Sequence, residues 1–248
     1  MAQPVISPPS IRRSFAVFVI GAAALIALWL PPLPPSLQIP REWMDTLVSL
    51  KIFKAGDRKT LHWDYLIIPP LFLYALWITW KTRPSLAECG LTGFHFTRAV
   101  RSLIGPTLLA AAVLLVIGLL TNRLNAQSFA WESRFWKRLI PVPAFFQQMA
   151  IQLVFHRQLA PWFGTGRKTA VFLAIYFALL HLPNPGLTLG TLFGMYIWAR
   201  AWQRAPNLYA LALSHAFLSA LLMETMPKWL LPSVSVGWRF VQKVWLPH

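Results

Sequence analysis

The sequence predicts an all-α, polytopic membrane helix bundle of seven to eight helices, forming a single membrane domain over residues 1–248. Three observations carry that prediction. Hydrophobic residues make up 56% of the chain and charged residues 12%, against roughly 45–50% and about 25% in soluble domains. The apolar residues fall in blocks of helix-span length, about 20 residues being enough to cross a ~30 Å hydrocarbon core. Basic clusters separate these blocks, among them Arg12-Arg13, Lys81-Thr82-Arg83, Arg134 with Lys137-Arg138, and Arg167-Lys168.

The elements follow in order. A first span at about 15–30 comes after Arg12-Arg13 and ends at Pro31-Pro32-Leu33-Pro34-Pro35. No small-residue cleavage site follows it, so it reads as a retained span rather than a signal peptide. A polar connection over 41–62 leads to a second span at 63–80, bounded by Trp63 and Trp80 as at a membrane interface. Asp64, at its edge, reads as an interfacial cap. Residues 84–101 mix Arg98 and Arg101 with Phe94, Phe96 and Val100, which predicts a short amphipathic piece lying on the surface.

The third span covers 102–120 almost without polar atoms, and a basic aromatic loop with Trp131, Phe135 and Trp136 covers 121–138. The fourth span, 139–163, contains Gln147, Gln148 and Gln152. The fifth, 169–182, ends at His181 before the helix-breaking Pro183-Asn184-Pro185-Gly186. The sixth, 187–202, holds Gly190 and Gly194 at a spacing that lets helices approach closely. The seventh, 208–223, carries His215, and the tail returns to the interface with Lys228, Arg239 and Lys243 among tryptophans.

The net charge of +16, from 23 Lys and Arg against 7 Asp and Glu, would suggest nucleic acid on a soluble domain. Clustered between apolar blocks, it points instead to anionic lipid headgroups, and no nucleic-acid partner is expected. Lys and Arg fall almost equally on the two sides, so the positive-inside rule does not orient the whole chain. Locally it places 157–168 and 200–204 in the cytoplasm. The single cysteine, Cys89, excludes an internal disulfide and a multi-cysteine zinc site, and reads as an interfacial residue.

The candidate functional residues are those polar groups that the lipid environment makes costly. Gln148 and Gln152 are four apart and share a helix face, with Gln147 one step around. His181 closes a Phe177-x-x-x-His181 pattern, and His215 lies mid-span with Ser219 one turn on. Amides can serve as interhelical glue, but amides and imidazoles in three separate spans imply that they meet. His156, beside Arg157 near the end of its span, reads as interfacial. Two histidines with amides lack a third strong ligand, so neither a metal nor another cofactor is expected.

At these residues the chain resembles the CPBP intramembrane proteases, the type-II CAAX prenyl endopeptidases and their bacterial relatives. That family shows Glu-Glu-x-x-x-Arg on one span, Phe-x-x-x-His on the next and His-x-x-x-Asn/Asp on a later one. Here the order is kept as Gln147-Gln148-x-x-x-Gln152, Phe177-x-x-x-His181 and His215-x-x-x-Ser219. The text around His181-Leu-Pro-Asn-Pro and Asn207-Leu-Tyr-Ala-Leu-Ala-Leu-Ser-His215 is similar too. The resemblance covers a core over 139–222, and more faintly Glu88-Cys-Gly-Leu-Thr-Gly. It implies a bundle of about eight helices in the cell membrane, in bacteria the inner membrane, with membrane-bound peptides or lipidated proteins as partners.

The resemblance also implies roles. Gln147 stands where the family has the glutamate that activates water, helped by the histidine at His181. His215 and Ser219 stand where the family polarises the scissile carbonyl and holds its oxyanion. Gln152 replaces the arginine that partners a carboxylate. An amide orients water but does not take its proton near neutral pH, and losing both charges leaves no unpaired ion in the membrane. Glu224, nine residues beyond His215, is turned by about 900° to the opposite face, while Glu132 and Asp64 lie in a loop and at an interface. Two readings stay open: an intramembrane endopeptidase with an altered site, in which His181 is the base, and an inactive relative that binds a peptide, lipid or partner helix.

Overall fold

The computed structural model describes residues 11–34, 36, 38, 42–43, 63–81, 84–125, 127–130, 134–139 and 141–246. Most of the 41–62 connection, Pro35, the Thr82-Arg83 pair and Glu132 lie outside the described residues, as do the side chains of Arg12, Arg13, Asp64, Arg134 and Lys137.

All regular structure among the described residues is helical. Helix α1 (Ile11–Trp29) pairs with α2 (Trp63–Trp80), and α3 (Phe96–Leu120) packs along α9 (Leu208–Thr225). Between them run a short α4 (Arg134–Arg138), then α5 (Val142–Gln148), a wide π-helical segment π1 (Met149–His156) and α6 (Arg157–Phe163). Helix α7 (Arg167–Leu179) pairs with α8 (Pro185–Arg204), and the tail carries α10 (Gly237–Phe240) and π2 (Val241–Trp245). The π1 segment is central, touching α1, α2, α7 and α8.

Among the described residues two helices, α3 and α9, are long and apolar enough to cross a membrane. They do so in opposite settings. Only 17% of the most apolar stretch of α3 is buried, against 61% of that of α9. Helix α3 turns Ile104, Leu108, Leu109, Val113 and Val116 outward, whereas α9 buries Leu208, Leu211, Leu218 and Leu221 in the main core.

The sequence expectation of a separate surface piece at 84–101 is corrected. Residues 84–95 form turns, and α3 begins at Phe96, so Arg98 and Arg101 sit exposed on its first turns. Ala99 and Leu103 explain the difference, because both are buried in the core, which continues the inward face of α3 back past Ser102. Cys89 is likewise not interfacial but buried, at 6% exposure. Its loop docks where α8 meets α9: the Gly90 carbonyl accepts from Leu208 N at 2.9 Å. Gly90 holds φ +64°, and a side chain there would meet the Trp202 ring.

Two buried asparagines hold helix starts to remote chain. Asn207 caps α9 by accepting from Ala210 N at 3.0 Å, and donates to Thr92 O at 2.9 Å. Asn184 caps α8 by accepting from Leu187 N at 3.3 Å, and donates to Ser233 O and Ser235 O at 2.7 and 3.1 Å. The tail thus packs on the bundle, with Phe240 only 2% exposed. The Gly190 expectation agrees with the geometry, since a Cβ there would sit 3.0 Å from Leu222 of α9. Replacing Asn207 by Ala removes the cap and leaves Thr92 O without its donor. This substitution should lower stability by about 2 kcal/mol, read as an earlier midpoint in thermal unfolding of the detergent-solubilised protein.

Candidate functional site

The fourth predicted span is one continuous rod, Val142 to Phe163, whose middle is π1. Pro143 sits in its first turn, where no backbone donor is needed. Gln148, Gln152 and His156 follow one another at four-residue spacing along this rod, and all three point inward at 0%, 0% and 3% exposure. His156, expected at the interface, is buried within the protein and hydrogen-bonded at both ring nitrogens.

These side chains form a hydrogen-bonded chain with one direction. Arg200 donates to Gln203 Oε1 at 2.6 Å, and Gln203 Nε2 donates to His156 Nε2 at 3.0 Å and to Gly166 O at 3.0 Å. His156 Nδ1 donates to Gln152 Oε1 at 2.8 Å, and Gln152 Nε2 donates to Gln148 Oε1 at 3.2 Å. Gln148 Nε2 then donates to His215 Nδ1 at 3.2 Å. An amide nitrogen only donates and an amide oxygen only accepts. The chain therefore puts the proton of His156 on Nδ1 and that of His215 on Nε2.

His215 is further held by packing. Trp198 of α8 stacks on it with ring centroids 4.1 Å apart, and donates its indole N–H to Ser214 Oγ at 3.1 Å. Ser214 also shares a 2.8 Å hydrogen bond with Thr107 of α3. Gly194 makes room for this indole, since a Cβ there would lie 2.8 Å from Trp198.

Gln147, one step around the helix from Gln148, points elsewhere. It is exposed, and with His181 it lines a cavity of about 330 Å³ between α1, α2, π1 and α7. Leu71, Phe72, Ala150 and Phe177 make up much of its wall. His181 lies in the turn just after α7 and donates from Nδ1 to Phe177 O at 2.7 Å, which leaves Nε2 as an acceptor. The Phe177 ring meets both imidazoles edge-on, with centroids 4.8 Å from His181 and 6.2 Å from His215.

The structure thus brings Gln148, Gln152 and His215 together, sets Gln147 and His181 on a neighbouring cavity, and leaves Ser219 half-buried one turn along α9. Sequence reasoning missed His156, Gln203, Trp198 and Ser214. Gln203 carried a signal that helix length supplies, since α8 runs to Arg204 rather than stopping at Trp202. Glu224 pairs with Arg138 at 2.6 Å. Among the described residues no three His, Cys, Asp or Glu side chains gather to hold a metal ion. The chain matches no protein-family model, no curated protein and no solved structure at a significant level.

Two outcomes follow from the chain. Nitrogen-15 spectra of histidine-labelled protein should show His156 as the Nδ1–H form and His215 as the Nε2–H form, and the opposite pairing would contradict the geometry. Gln148→Leu strands His215 Nδ1 and the Gln152 amide in the core, so it should cost about 2–3 kcal/mol. Ser219→Ala should stay within about 0.5 kcal/mol of wild type, as compared in parallel denaturation curves.

Proposed function

We propose that this chain is a multi-pass cell-membrane protein, resembling the CAAX-type intramembrane endopeptidases, that binds a membrane-embedded peptide or lipidated protein segment without cutting it. One observation carries the binding reading. The cavity that Gln147 and His181 line contains no carboxylate among its described residues, and the adjoining polar residues are committed to a neutral hydrogen-bond chain. A peptide-bond hydrolase needs a base matched to its operating pH. Gln147 cannot supply one, and His181 Nε2 is the one acceptor nitrogen at the cavity wall.

The membrane reading is supported by α3, whose outward face exposes Ile104, Leu108, Leu109, Val113 and Val116. A soluble monomer seldom exposes a contiguous apolar patch of that kind. The exposed Arg98, Arg101 and Arg204 at helix ends suit anionic headgroups. The apolar walls with one amide and one imidazole suit a peptide backbone in apolar surroundings, since its polar groups then find partners inside the cavity.

The test uses a single-span peptide carrying a photo-crosslinker and a quenched fluorophore pair, offered to the protein in nanodiscs. Wild type should crosslink saturably and leave the peptide intact, and Ala150→Trp, which fills the cavity, should lose crosslinking. Gln147→Glu puts a carboxylate into the cavity with His181, and should raise cleavage on the order of 10²-fold above background. Cleavage by wild type that disappears in His181→Ala would instead identify an active endopeptidase with a histidine base.

A further inference from the structure

A second cavity, of about 180 Å³, lies on the other side of Phe155 and Tyr176, whose rings contribute to both cavities. Phe18, Gly21 and Leu25 of α1 form one wall, and Phe172 and Leu179 of α7 another. The third wall, from α6, includes Gln158. The lining is otherwise hydrocarbon and aromatic apart from the Tyr176 hydroxyl, which already donates to Gly21 O at 3.2 Å.

Gln158 is the exception. It is 1% exposed, and neither its Oε1 nor its Nε2 has a hydrogen-bond partner among the described residues. Gln148, Gln152 and Gln203 all have partners. A buried amide left unpaired is unfavourable, and in lipid no bulk water reaches it. Its two atoms ask for a partner that offers a donor and an acceptor side by side. No Lys or Arg lines the cavity, so an ionised head has no counter-charge there.

We propose that this cavity is a binding site for a single-chain amphiphile with a neutral carboxylic acid head, a long-chain fatty acid in its protonated form. The carboxyl O–H donates to Gln158 Oε1, and its carbonyl accepts from Gln158 Nε2, closing a cyclic pair. The tail lies in the groove between α1 and α7, which Phe18 and Phe172 border at one end and Leu25 and Leu179 at the other. Phe18 to Leu25 spans roughly 10 Å of helix, so the rest of a long tail continues along the outer face among the lipids. This site is separate from the Gln147–His181 cavity and stands whether or not that cavity binds a peptide.

The test places wild type, Gln158→Leu and Ala22→Trp in phosphatidylcholine nanodiscs with a photoreactive palmitic acid analogue. Ala22 is exposed and lines the groove, so a tryptophan there fills it without entering the core. Labelling should be saturable and confined to α1, α6 and α7, and palmitic acid should compete for it where hexadecane does not. Gln158→Leu should weaken binding about tenfold, and Ala22→Trp should abolish the saturable component. Gln158→Leu removes an unpaired amide, so its unfolding temperature without fatty acid should equal or exceed that of wild type, which separates lost binding from lost folding. Labelling that does not saturate, hexadecane competing as well as palmitic acid, or unchanged affinity in Gln158→Leu would each overturn the proposal and leave ordinary lipid or water as the occupant.

Discussion

The organisation of this bundle depends on the need of polar groups in its dry interior for partners, a need that a few groups such as Gln158 leave unmet within the chain. The run from Arg200 through Gln203, His156, Gln152 and Gln148 to His215 meets it with donors all pointing the same way. Such an arrangement leaves no choice of orientation, because flipping any one amide would set donor against donor on one side and acceptor against acceptor on the other. Each link in a low-dielectric interior also polarises the next, so the links are worth more together than singly. The chain fixes the register of π1 against α8 at one end and against α9 at the other. That is why the central rod sits where it does.

The backbone serves that chain. The rod passes from α-helix into the turns of π1 and back, and carries Gln148, Gln152 and His156 on its inward side. Gly194 plays the matching part on α8, clearing the space in which Trp198 lies flat against His215. The caps at Asn184 and Asn207 then determine where α8 and α9 begin. A shift of either helix by one residue would carry Gln203 or His215 away from its partner. Capping, packing and hydrogen bonding therefore impose one and the same register.

Much of this was legible in the sequence, and the failures have physical reasons. The helices expected at 63–80, 187–202 and 208–223 follow their apolar blocks because nothing competes with hydrophobicity there. The meeting of Gln148, Gln152 and His215 could be expected from the cost of polar groups in apolar spans. The fate of Gln147 could not, since a single step around the helix separates the interior from the cavity and only packing decides which residue faces which. His156 was set aside because it lies beside Arg157 near the end of its span, and its partner Gln203 lies beyond the predicted end of the sixth span. The start of α3 was misjudged because two exposed arginines on its first turns imitate a surface piece. Ser219 follows the helical spacing from His215 but lies outside the chain, which shows that sharing a face does not imply sharing a network.

The geometry also sharpens what the charge-free motif means. A carboxylate and a guanidinium at Gln148 and Gln152 would have to be desolvated together, and a buried ion pair seldom recovers that penalty in full. Amides at both positions avoid it, and they also extend the network to His156, whose Nδ1 donates to Gln152 Oε1, an acceptor that a guanidinium lacks. In place of a local ion pair, the amides form a chain that crosses the bundle. The chain holds His215 in one protonation pattern, which suits a rigid wall better than a group that must gain and lose protons. Gln147 and His181 face open space, a neutral donor-and-acceptor pair in an apolar cavity. Those are the properties of a place that holds a peptide group, and the proposed binding role follows from them more directly than hydrolysis does.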